Sequence, residues 1–307
     1  MYSSKEVLSR AFAGEISETP RITVFGIFTY LGDEIFVVAV MAFVYWCVSK
    51  RLGFKFMNVY FLSCGVNTVI KAIVQRPRPF DAYEGIVKSI GEETGGYSFP
   101  SGHTNNITTL STLSVMGFKK HRKIFIPLGI GLTLLVMFTR LFLGQHYLTD
   151  VLCSAFMAIL MVIVFSLLYD LLGDHEERIA FGGVPIAIIG AIVVSIIQPD
   201  AETVKHVLEI TGVLISVQIG YFIDKKYIGF ESKTTIAKQF LKILIGGAGA
   251  LAIFLGLKFA FNFDTSFWLY GFFRYALLGL WLTLGAPLIF KKLGFVEEKK
   301  ELDAQNT

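Results

Sequence analysis

Nine apolar stretches, each near the length of chain that crosses a bilayer as a helix, recur along the whole sequence. They fall near residues 24–48, 56–76, 100–118, 123–143, 147–171, 181–198, 204–223, 238–260 and 268–290. A hydrocarbon core about 30 Å thick needs about 20 apolar residues per helical crossing, so the pattern predicts an all-α, polytopic membrane bundle of about nine spans. Composition agrees. Of 307 residues, 54% are hydrophobic and only 17% charged, and the mean hydropathy of +0.62 lies outside the range of ordinary soluble domains. A net charge of +4, small and dispersed, argues against a nucleic-acid partner. Cys47, Cys64 and Cys153 each sit inside an apolar run with no CxxC pair, which suggests neither a disulfide framework nor a zinc site.

The loops predict orientation, because cytoplasmic loops are enriched in Lys and Arg. Nine crossings with the N-terminus outside and the C-terminus cytoplasmic put every dense basic cluster on one side. These clusters are Lys50, Arg51 and Lys55; Lys119, Lys120, Arg122 and Lys123; Lys225, Lys226, Lys233 and Lys238; and Lys291, Lys292, Lys299 and Lys300. The opposite loops at 198–203 and 261–267 are neutral or acidic. The sixth stretch, opened by Gly182, Gly183 and Pro185, is the shortest, and every later orientation depends on its crossing. Residues 1–22, with Glu6, Glu15 and Glu18 and no continuous apolar run, read as an interfacial segment rather than a cleaved signal. A core of spans one to five at 23–173, further spans at 174–290 and a cytoplasmic tail at 291–307 complete the expected organisation.

Ionisable residues at span ends are costly unless partnered, so they are the first places to seek chemistry. Lys71 and Arg78 lie in KAIVQRPRP, where Pro77 and Pro79 must end the second helix. Pro100, Ser101, Gly102, His103 and Thr104 open the third span, and a helix N-terminus with free N–H groups attracts anions. Thr139 and Arg140 close the fourth span, and His146 and Asp150, four residues apart, open the fifth. On a helix, that spacing brings the carboxylate to the ring. In the nine-span arrangement, all three clusters share the extracytoplasmic face. Three cations gathered there call for an anion, and phosphate suits Arg forks and a Lys point charge; a divalent metal would be repelled. Taken singly, each residue has a plainer reading, as a snorkelling Lys, an interfacial Arg or a satisfied buried imidazole. Joint spacing and a shared face favour a site.

Other charges are less pointed. Asp33 and Glu34 interrupt the first stretch and predict a break between an interfacial segment and the span. Lys242 and Arg274 inside the eighth and ninth spans leave open snorkelling, pairing with helical carbonyls or lining a cavity. His121, His175 and His206 read as solvated, and the loop 80–99 either shapes a leaving-group side or is ordinary solvated loop.

The pattern KxxxxxxRP, PSGH and SRxxxxxHxxxD, met here as Lys71–Pro79, Pro100–His103 and Thr139–Asp150, resembles the type 2 phosphatidic acid phosphatase superfamily. That superfamily also holds bacterial acid phosphatases, glucose-6-phosphatase and vanadium haloperoxidases. The one departure is Thr139 for serine, which keeps a hydroxyl. The resemblance covers about residues 55–170 and implies hydrolysis of a phosphate ester or diphosphate without a metal or other cofactor. It implies His146 as nucleophile, oriented by Asp150, and His103 as general acid and base. Lys71, Arg78, Ser101, Gly102 and Arg140 then bind phosphate. The expected substrate is a membrane lipid phosphate or polyprenyl diphosphate, met from outside at a bacterial inner membrane. A sugar phosphatase resembling glucose-6-phosphatase is the second reading, and a lipid transporter or flippase the reading from another class.

Overall fold

A computed structural model describes residues 25–83, 95–171, 176–197, 201–260 and 268–295. Residues 1–24, 84–94, 172–175 (with His175), 198–200, 261–267 and 296–307 lie outside the described residues, and with them the segment 1–22 and parts or all of the loops 80–99, 198–203 and 261–267. Among the described residues every regular element is helical. The helices are α1 (Glu34–Phe43), α2 (Lys50–Val74), α3 (Pro79–Ala82), α4 (Gly102–Gly117), α5 (Arg122–Phe142) and α6 (Leu148–Leu171). They continue as α7 (Glu176–Ile197), α8 (Ala201–Ile223), α9 (Ile236–Ala260), α10 (Trp268–Leu280) and α11 (Ala286–Lys292).

Six of the nine expected stretches are long and apolar enough to cross a membrane: Lys50–Ala82, Lys119–Phe142, Leu148–Leu171, Thr203–Ile228, Ile236–Leu257 and Tyr270–Lys292. The first stretch is broken. Phe25–Gly32 and Glu34–Val48 meet at 54°, where Asp33 accepts from the Ile35 N–H at 2.8 Å. The bend falls where two adjacent acids interrupt the apolar run. Gly182–Ile197 is a shorter apolar helix, and α4 has 16 residues, too few and too polar to pass as a span by composition alone. Its Thr104, Asn105, Asn106, Thr108 and Thr109 are nonetheless buried, because other protein covers α4 where lipid would not.

The chain divides into two units, Met1–Val37 with Val66–Phe165 and Val38–Gly65 with Ser166–Thr307. In the first, α4 packs against α5 and against the 3-10 turn Tyr30–Gly32. Asn106 Nδ2 donates to the Gly32 carbonyl at 3.0 Å, giving that turn a polar anchor. A Cβ placed on Gly32 would stand 2.8 Å from the His103 carbonyl oxygen and 2.9 Å from Val136 Cγ1, so only glycine allows this approach. Along α6, Leu148, Leu152, Phe156, Ile159, Leu160 and Ile163 face outward, whereas Val151, Ser154, Ala158 and Val162 are fully buried. Large residues toward lipid and small ones toward protein are what helices need in a solvent as apolar as leucine.

In the second unit, α8 lies against α10 through Gly212 and Gly279 and against Thr283 through Gly220, and at each glycine a Cβ would collide with the facing chain. Phe54 stacks on Tyr221 with centroids 3.7 Å apart. Asp224, fully buried, accepts from Lys50 Nζ at 2.8 Å. Lys242 is also buried, and its ammonium donates to the carbonyls of Ser232 (2.9 Å) and Glu231 (3.3 Å). Lys242 thus pairs with backbone carbonyls, but the two nearest lie outside the helices, not on one as expected. Arg274 instead lies 3.7 Å over the Phe254 ring.

Candidate active site

All eight residues named from the sequence belong to the first unit. Helix α2 ends at Val74, and Gln75 takes a left-handed conformation (φ 51°) that turns the chain out of the helix. The following Arg76–Pro77–Arg78–Pro79 cannot re-enter a helix before Pro79, so Arg78 is held on a stiff exit, as the two prolines predict. Lys71, on the last turn, donates to the Tyr97 carbonyl at 2.7 Å. Arg78, 2% exposed, donates to the carbonyls of Gly95 (2.8 Å), Gly96 (2.9 Å) and Gln145 (3.1 Å). The two cations thus pin the segment before α4 and the turn before α6 to one end of α2.

Ser101 caps α4, its Oγ accepting from the Thr104 N–H, and Ser154 Oγ donates to the Ser101 carbonyl at 2.6 Å. Gly102 follows at the first helical position, and a Cβ built on it would meet open space. His103 comes next, within electrostatic range of Lys71, Arg78, Arg140 and His146. Helix α5 closes on Gly144 (φ 68°), whose N–H reaches the Leu141 carbonyl at 3.0 Å, and the chain turns sharply into α6. Arg140 on the last turn donates to Thr29 Oγ1 at 3.1 Å. The Thr139 hydroxyl donates to the Val136 carbonyl at 2.7 Å, so its proton serves the helix.

His146 sits in the turn just before α6, not on the helix as its spacing to Asp150 suggested. Asp150 still reaches it, because Asp150 stands in the first helical turn and folds back over the N-terminus. There its Oδ2 accepts from the Tyr147 N–H at 2.9 Å, the carboxylate half of a capping box. Nδ1 of His146 lies 3.6 Å from that Oδ2, an ion-pair distance longer than a hydrogen bond, and 3.5 Å from Ser98 Oγ. On the other side of the ring, Arg78 NH1 lies 3.4 Å from Nε2. A guanidinium only donates, so this contact assigns the lone pair to Nε2 and the proton to Nδ1. Burial pushes the imidazole pKa down to about 3 against the upward pull of Asp150, with Arg140, Arg78 and Lys71 pushing further down. The ring is neutral at pH 7.

Two residues of this cluster escaped the sequence reading. Arg76 NH1 meets Asp150 Oδ1 at 2.7 Å, and Ser98 Oγ donates to Asp150 Oδ2. Arg76 lay in view within KAIVQRPRP, a third cation between a helix end and two prolines. Ser98, 52 residues from Asp150, carried no comparable signal. Among the described residues no group of three or more His, Cys, Asp or Glu side chains is placed to hold a metal ion.

The PAP2 superfamily model matches residues 52–173, and the PAP2 superfamily phosphatase transmembrane extension matches 208–299. The chain belongs to the PAP2 superfamily. Sphingosine-1-phosphate phosphatase 1 of Mus musculus is 27% identical over 182 residues, covering 57% of this chain and 41% of the relative. Sphingosine-1-phosphate phosphatase 2 of Homo sapiens is 25% identical over 141 residues, 44% of this chain and 34% of the relative. Undecaprenyl-diphosphatase BcrC of Bacillus subtilis (strain 168) is 36% identical over 114 residues, 37% of this chain and 56% of the relative. The chain spans less than two thirds of the length of each. No solved structure matches it. All eight candidate residues of this PAP2 chain fall inside the first match, and the extension accounts for α8 to α11 as a family feature rather than an unrelated addition.

Proposed function

We propose that this integral membrane protein hydrolyses a lipid phosphate monoester or a polyprenyl diphosphate through a phosphohistidine, at a site facing away from the cytoplasm. The observation that carries the reading is the orientation of His146. Its Nδ1 is turned to Asp150 and Ser98 and its Nε2 to Arg78, an arrangement that assigns the proton to Nδ1 and the lone pair to Nε2. A neutral imidazole with a bare nitrogen beside a cation is a nucleophile aimed at an anion.

With phosphate held by Lys71, Arg78, Arg140, Ser101 and Gly102 at the N-terminus of α4, Nε2 attacks phosphorus in line with the leaving oxygen. The P–O bond breaks as P–N forms, and His103 gives its proton to the leaving alcohol or phosphate. His103 then takes a proton from water, whose oxygen attacks phosphorus and releases His146 with inorganic phosphate. The imidazolium that His146 becomes is matched by Asp150, and the charge spread over the transferring oxygens is matched by the three cations. The names of the relatives support the substrate class: one group acts on sphingosine-1-phosphate and another on undecaprenyl diphosphate.

Phosphate release by the purified protein from sphingosine-1-phosphate, undecaprenyl diphosphate and glucose 6-phosphate, in excess EDTA, is the test. A lipid substrate turned over with EDTA present, and turnover abolished in His146→Ala, is the expected result. Preference for the sugar phosphate, loss with EDTA that a divalent ion reverses, or unchanged release by His146→Ala would each sink the corresponding part.

A further inference from the structure

The carboxylate of Asp150 is completely buried, and four groups converge on it. Oδ1 takes Arg76 NH1 at 2.7 Å, while Oδ2 takes the Tyr147 N–H at 2.9 Å and the Ser98 hydroxyl, with His146 Nδ1 standing off at 3.6 Å. Arg76 does more than pair. Its NH1 also donates to Thr149 Oγ1 at 2.7 Å, so both hydrogens of that nitrogen are used within the turn. Its guanidinium lies 3.8 Å over the Tyr147 ring, and its main-chain carbonyl accepts from the Ser98 N–H at 2.8 Å. One residue therefore holds Tyr147, Thr149 and Asp150 by its side chain and Ser98 by its backbone. All of these surround His146.

We propose that Arg76 is a positioning residue for the phosphoryl transfer: with Ser98 it clamps both oxygens of Asp150 and so fixes the ring plane of His146. This rests on the nucleophilic role of His146 given above. The planar guanidinium suits the task, since one of its NH2 groups serves both the hydroxyl and the carboxylate while its face covers the tyrosine. Arg76 is also unlike Arg78 in placement. Arg78 is 2% exposed with NH1 against the nucleophilic nitrogen, whereas the Arg76 side chain is 34% exposed and directed at Oδ1, the oxygen away from the ring. Ser98 supplies the complementary hold. Its Oγ stands between Asp150 Oδ2 and His146 Nδ1, so the ring proton meets a hydroxyl whose own proton is committed to the carboxylate.

The test is steady-state hydrolysis of the lipid substrate identified for the wild type, with inorganic phosphate as competitor. Arg76→Gln should lower kcat about 10- to 100-fold, the cost of a misplaced reacting group, while KM and the inhibition constant of phosphate change less than about threefold. Arg76→Lys should recover part of kcat. Ser98→Ala should lower kcat with the same unchanged phosphate affinity. In an Asp150→Asn background, Arg76→Gln should add little, because its effect travels through that carboxylate. An unchanged kcat in Arg76→Gln and Ser98→Ala would overturn the proposal, as would an undiminished Arg76→Gln effect in the Asp150→Asn background. A KM effect alone would make Arg76 a phosphate ligand instead. If Arg76→Gln does not fold, Arg76→Lys and Ser98→Ala carry the same comparison. A wild type that releases no phosphate defeats the parent reading, which no Arg76 variant can do.

Discussion

His146 is held neutral by its surroundings, and this has a thermodynamic signature. Burial lowers its pKa to about 3 in the folded chain, whereas an unfolded histidine titrates near 6.5. Between those values the unfolded state binds a proton that the folded state refuses, so stability falls as pH drops from about 6.5 toward 3 and is intact above that window. At pH 5 the loss is about 2 kcal/mol. His146→Asn removes the titration, and should therefore lose about 2 kcal/mol less than the wild type between pH 7 and pH 5 in denaturant unfolding from detergent. An equal loss in both would mean that the ring is hydrated and titrates normally. The sequence pointed to this residue and to seven others because the three motifs keep their internal spacing. It did not point to Ser98 or show the use of Arg76. Their contacts with Asp150 join residues 52 and 74 apart, and no local periodicity reports a pairing that only the folded turns create.

At the scale of helices, the site depends on how chain ends are turned. Gln75 and Gly144, both at positive φ, stop α2 and α5 so that Arg78 and His146 leave on stiff exits. The prolines made the first stop legible in advance. The polar face of α4 was harder to place, because hydropathy scores a helix as if every side met lipid, and this one is covered by α5 and the 30–32 turn. That turn is a sensitive point. Adding a methyl group at Gly32 drives it into the His103 backbone at 2.8 Å, and backbone cannot rotate away as a side-chain tip can. Gly32→Ala should cost about 1–3 kcal/mol and lower kcat by displacing the first turn of α4. Gly26→Ala, in a helix turn with nothing within 4 Å, should do neither. Thermal unfolding and turnover of the two variants together check the pair, and equal behaviour would show that the 30–32 turn yields freely.

Across the whole molecule, the decisive question is which ends of the helices share a side of the membrane. Helix α5 carries exposed Lys123 and Arg122 at its start, directly after exposed Lys119 and Lys120, and Arg140 on its last turn, about 27 Å from Arg122 at 1.5 Å per residue. A basic cluster at one end and the end proposed to bind phosphate at the other is the charge asymmetry expected if the first is cytoplasmic and the second outside. The nine-crossing arrangement extends this to α8, whose end at Lys225 and Lys226 would also be cytoplasmic, but only if the short helix Gly182–Ile197 crosses. Single cysteines in a background lacking Cys47, Cys64 and Cys153 separate the possibilities at exposed positions Tyr83, Lys120 and Tyr227. A membrane-impermeant maleimide on intact cells should label Tyr83→Cys, and should reach Lys120→Cys and Tyr227→Cys only after permeabilisation. Labelling of Tyr227→Cys from outside, with the other two as expected, would make Gly182–Ile197 a helix that does not cross, and the two lysines would then oppose the charge rule. Labelling of Lys120→Cys together with Tyr83→Cys would instead remove α4 from the crossings. The polar helix that opens on Ser101, Gly102 and His103 would then begin and end on the same side of the membrane as the phosphate it is proposed to bind.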